Sequence, residues 1–93
     1  MFKSKEAENV NQALLEGKMD QAFEQLQQMI AANPKDDEAH YLMGNYYRKI
    51  GETRLSMNSY LAAIDINPES PAQFAYDHMI KVLDFYNKDM YNQ

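Results

Sequence analysis

One interval organises this chain: its punctuation recurs every 34 residues. Gly17 returns as Gly51, Asn33-Pro34 as Asn67-Pro68, and Ile30 as Ile64. A period of this size means a repeated supersecondary unit that buries its apolar face by stacking on a neighbour.

Within each period the apolar residues keep helical spacing. Ala22, Phe23, Leu26, Met29 and Ile30 recur at intervals of three and four, marking one face of an amphipathic helix. Ala39, Leu42, Met43, Tyr46, Tyr47 and Ile50 do the same, as do Leu55, Met57, Tyr60, Leu61, Ala63, Ile64 and Ile66. Gly17 and Gly51 follow apolar runs, where a terminal glycine can turn left-handed. Asn33-Pro34 and Asn67-Pro68 end helices because proline restricts the residue before it. Asp36 and Ser70 then stand at N-cap positions. The expectation is five helices, near 3–16, 19–32, 36–50, 53–66 and 71–90, with turns short enough to make neighbours antiparallel.

Composition narrows the function. The chain has 93 residues, 45% of them hydrophobic, with three Gly and three Pro; this is one domain's worth of helical material. A net charge of −5 argues against nucleic acid, which needs a basic footprint; the only basic cluster is Arg48, Lys49 and Arg54. There is no cysteine, which excludes disulfides and thiolate chemistry and suits a reducing compartment. Neither a signal peptide nor a membrane span is legible, so the expected location is cytoplasmic.

The densest cluster of ligand-type residues is Asp36, Asp37, Glu38 and His40, which reads as a capped, acidic helix start. His40 and His78 lie in different helices and fit no metal spacing. We expect no catalytic residue, no metal, no cofactor and no enzymatic activity.

The second period resembles the tetratricopeptide repeat. His40 occupies the large first position, Met43-Gly44 the leucine–glycine pair and Tyr47 the tyrosine; Ser56, Tyr60 and Ala63 follow in the second helix, and Pro68 closes the unit. Gly44 is expected to approach its partner helix closely, opposite Ser56 and Ala63. The first period keeps Ala22, Leu26, Met29 and Pro34 but has Val10 for the glycine and Ala13 for the tyrosine. A third begins at Pro71, keeps Phe74 and departs at Asp77, His78 and Lys81, reading as a capping helix. The resemblance implies an all-α, right-handed superhelical stack of antiparallel helix pairs. Residues 1–93 form one domain in this reading: repeat 1 about 3–36, repeat 2 about 37–70 and the cap about 71–90.

The resemblance also implies protein–protein interaction through a concave groove lined by the first helix of each pair. The positions carried over are Ala7, Asn11, Leu14 and Leu15, then Glu38, Tyr41, Asn45, Arg48 and Lys49, then Ala75, Met79, Val82 and Leu83. Asn11, Tyr41, Asn45, Arg48 and Met79 are the strongest contact candidates for a protein or peptide partner. The charge clamp of chaperone-binding members is missing, with Ala7, Leu42, Ala72 and Tyr76 where it would stand. In the last helix, Ala75, Tyr76, Met79, Val82, Leu83, Tyr86 and Met90 share about 120° of arc at roughly 100° per residue, a core-facing stripe. Phe74, His78 and Phe85 lie off it and form a second expected contact, supporting weak homodimerisation. The alternative function is therefore a structural, self-associating subunit of a larger assembly.

Overall fold

The computed structural model describes residues 2–91, and their side chains as far as Phe85. Five helices follow in order: α1 (Lys5–Leu15), α2 (Met19–Ala32), α3 (Asp37–Lys49), α4 (Thr53–Ile66) and α5 (Ala72–Tyr91). Among the described residues there is no strand, and each boundary falls within two residues of its sequence expectation.

The periodic punctuation folds the same way twice. Gly17 and Gly51 take φ of 81° and 83°. After α1, Lys18 N–H donates to Ala13 O at 2.9 Å and Gly17 N–H to Leu14 O at 3.2 Å; after α3, Glu52 N–H donates to Tyr47 O and Gly51 N–H to Arg48 O at the same distances. Both are Schellman closures, which give the last carbonyls of a helix a partner. At the other junctions, the side-chain oxygens of Asn33 and Asn67 accept from Lys35 N–H and Glu69 N–H, each at 3.1 Å, duplicated Asx turns. Asp36 caps α3 through Oδ1 on Ala39 N–H at 3.2 Å. Ser70 Oγ accepts from Ala72 N–H at 3.1 Å, with Pro71 next to it in the position proline favours at a helix start. Helix α1 begins two residues later than expected because Ser4 caps it, accepting from Ala7 N–H at 3.0 Å.

The core repeats with the punctuation. Ala22, Leu26 and Met29 of α2 are buried, and so are their counterparts Ser56, Tyr60 and Ala63 of α4, 34 positions on. One cluster joins α1, α2 and α3, and a second joins α4 to Ala72 and Met79 of α5, with Tyr41 packed against both. On the first cluster's flank Phe23 stacks on Tyr46 with centroids 4.9 Å apart.

The two units solve the same packing problem with opposite choices. The backbone of Gly44 faces the ring of Tyr60, and a Cβ at residue 44 would come within 3.0 Å of Cζ and nearer still to two other ring carbons. The atoms nearest to the glycine belong to Tyr60, whose ring fills the space beside it. Ser56, the other expected neighbour, donates to Gly44 O at 2.8 Å. In the first unit the same two positions hold Val10 and Leu26, both fully buried: more bulk on one helix, less on the other. That exchange explains why valine is acceptable where glycine was expected.

Candidate functional site

Helices α3 and α5 are corresponding members of successive units, and a run of three clefts lies along them. The first, about 290 Å³, is lined by Phe2, Lys3, Asp37, Glu38, Tyr41, Asn67, Ser70 and Pro71. The second, about 420 Å³, is lined by Tyr41, Asn45, Arg48, Pro71, Phe74, Ala75 and His78. The third, about 480 Å³, has walls of Arg48, Thr53, His78, Met79, Val82 and Leu83. Tyr41 and Pro71 belong to the first and second, Arg48 and His78 to the second and third. The clefts therefore adjoin one another along α3 and α5.

Its acidic end is already occupied by internal bonds. Glu38 accepts from Lys3 N–H through both carboxylate oxygens, at 2.9 and 3.0 Å, and the Phe2 ring lies 6.3 Å from that of Tyr41. Asp37 accepts from Asn67 Nδ2 at 3.1 Å, and His40 Nε2 lies 2.9 Å from Pro34 O. With Asp36 on the helix cap, each member of the acidic cluster has a structural bond. Among the described residues no group of three could hold a metal ion.

The centre of the groove rests on an ordered base. Tyr60 is fully buried, its ring 6.0 Å from that of Tyr41, and its hydroxyl donates to Asn45 Oδ1 at 2.5 Å. Burial pushes the Tyr60 phenol above its ordinary range, opposed by the nearby charge of Arg48. At the junction of the second and third clefts Arg48 is exposed and makes no ion pair among the described residues.

The structure brings together Tyr41, Asn45 and Arg48 of the expected groove with Phe74 and His78 of the expected second contact. Helical spacing puts Phe74 and His78 off the core-facing stripe of α5, and in the structure both line the second cleft. Phe74 is 83% exposed. Phe85, 64% exposed, sits about three turns further along α5 and lines none of the three clefts. Met79 is not an open contact: it is 8% exposed, packs on α4 and keeps its sulfur 3.6 Å from Ser56 Oγ. Asn45 is half-buried and its carbonyl oxygen already accepts from Tyr60, which leaves its amide N–H groups and one oxygen lone pair for a ligand. Asn11 is half-buried on α1 and lines no part of the groove. Of the other carried-over positions, Ala7 and Leu14 are core residues, whereas Leu15 is 67% exposed. Tyr86 and Met90 lie outside the described side chains. Sequence reasoning missed Phe2, Lys3 and Pro71; proline at a helix start was the one signal available.

A family model described as tetratricopeptide repeat matches residues 37–70, the unit containing the Gly44–Tyr60 contact. The solution NMR structure of Bacteroides fragilis protein BF1650 superposes with a TM-score of 0.82 at 40% sequence identity, covering 97% of this chain and 92% of that one. The chain belongs to the tetratricopeptide-repeat family. No curated protein matches it. Tetratricopeptide repeats are in general protein-interaction modules and not enzymes. No helix among the described residues is long and apolar enough to cross a membrane.

Proposed function

We propose that this tetratricopeptide-repeat chain is a cytoplasmic adaptor that holds a segment of a partner protein in the groove between α3 and α5. It works as one unit, with repeat 1 over about 3–36, repeat 2 over about 37–70 and α5 as cap. What supports the reading is continuity: three clefts share their boundary residues, Tyr41 with Pro71 and Arg48 with His78. From Tyr41 to Arg48 is seven residues of α3, about 10 Å at 1.5 Å per residue, the span of roughly three residues of extended chain. Tyrosine and arginine are the residue types that dominate interface energetics. The test is capture from native lysate by wild type and by an Arg48→Ala, Phe74→Ser variant. A partner retained by wild type and lost by the variant, with unchanged helical content, is the expected result; retention by both contradicts the assignment.

A second reading, self-association through α5, is favoured by one observation: Phe74, His78 and Phe85 are all exposed along one face of that helix. Burying a phenylalanine from each chain gives on the order of 1.5–3 kcal/mol apiece, opposed by association entropy, so a weak dimer is expected. Sedimentation of wild type against Phe74→Ser, Phe85→Ser across a wide concentration range separates the two readings.

A further inference from the structure

The groove is chemically lopsided. The protein carries fourteen acidic and nine basic residues, yet the junction of its second and third clefts is formed by Arg48 and His78. Both Arg48 and Lys49 stand in the last turn of α3, where a cation suits the helix dipole, but only Arg48 faces the groove. Its guanidinium has no carboxylate partner among the described residues, although arginine is the side chain best shaped to hold one. On either side the lining turns apolar: Phe74 with Tyr41 in one direction, Val82 with Leu83 in the other.

We infer that the groove selects an internal acidic side chain, Asp or Glu, set within an extended segment and flanked by apolar residues. The inference builds on the proposed groove binding. The carboxylate sits at Arg48, with His78 beside it, and an apolar side chain two or three residues away lies on Phe74 and Tyr41. The third cleft continues the channel beyond Arg48, so the ligand chain has room on both sides of its acid. This makes the carboxylate a side chain and not a chain terminus. The chain as a whole is net acidic, so non-specific attraction of such a segment is weak and the cationic junction is what would favour it.

Random decapeptides displayed on phage, selected on wild type and on an Arg48→Glu variant, read this preference directly. Arg48 is exposed, so the variant keeps the fold, which circular dichroism verifies. Selection on wild type should enrich Asp or Glu within three positions of apolar residues on both sides. Changing that acid to its amide in the strongest binder should weaken binding roughly tenfold, and Arg48→Glu should lose the same peptide. Binders that shift the amide resonances of Tyr41, Phe74 and Ala75 but show no acidic preference would overturn the inference and leave groove binding intact. Enrichment of a carboxyl-terminal acid alone would overturn it as well. Binders that perturb only other surfaces, or no enrichment over an unrelated helical protein, would overturn both.

Discussion

Gly44 and Tyr60 occupy one another's space: the glycine's missing side chain is where the tyrosine ring lies. The pair holds α3 against α4, and the same ring supports Tyr41 and bonds Asn45 in the groove. Packing inside the second repeat and the shape of the groove are therefore one problem.

Gly44→Val should destabilise the protein by about 1–3 kcal/mol through overpacking, although valine is the better helix former. The first repeat carries the compensated pair, Val10 with Leu26. Combining Gly44→Val with Tyr60→Leu should therefore cost less than the two changes summed, by about 1 kcal/mol or more. Urea denaturation of the four proteins measures this; simple additivity would mean the residues are not packed together.

The paired helix closures make a second prediction. Nothing crowds a Cβ at Gly17 or Gly51, so any cost of alanine there comes from positive φ alone. Each substitution should cost about 1–2 kcal/mol, and the costs should match because the hydrogen bonds match. Thermal melts of both variants test it; a stabilising alanine at either site would contradict the closure geometry.

Stability should decline in alkali. The Tyr60 phenol is raised above 10.0, chiefly by burial, so the folded state holds this proton more tightly than the unfolded chain does. Its stabilising contribution is complete below pH 10.0 and is lost as pH rises through the higher folded value. Tyr46 is raised in the same direction, mainly by desolvation. Tyr60→Phe should start less stable, having lost the bond to Asn45, and should show a shallower fall in urea-derived stability between neutral and strongly alkaline pH. An unchanged slope would remove Tyr60 from the account.

What could be read in the sequence was local. Gly17, Gly51, Asn33, Asn67, Asp36 and Ser70 each act on backbone within a few residues, so their roles follow from residue type and position. The groove was legible in part: the tetratricopeptide-repeat resemblance implies groove positions on the first helix of each pair, and two of them, Tyr41 and Arg48, line the clefts along α3 and α5. What escaped depends on how helices lean together. Asn45 bonds a tyrosine fifteen residues away, Met79 turns onto α4, and Phe2 and Lys3 reach α3 from thirty-five or more residues away in sequence. A helical wheel puts Phe74 and His78 off the core-facing stripe of α5, and both are exposed, but it cannot say that they line a cleft with residues of α3.

The groove itself is tested most directly by site-specific photo-cross-linking. A benzophenone side chain at position 74, on the groove wall, is compared with one at position 61, where Leu61 is exposed on α4 and lines none of the three clefts. Both positions are exposed, so neither replacement should change stability by more than about 0.5 kcal/mol. Irradiation in native lysate should give a discrete partner adduct from position 74, diminished by Arg48→Glu, and none from position 61. An adduct from position 61 alone would place binding outside the groove and contradict the account.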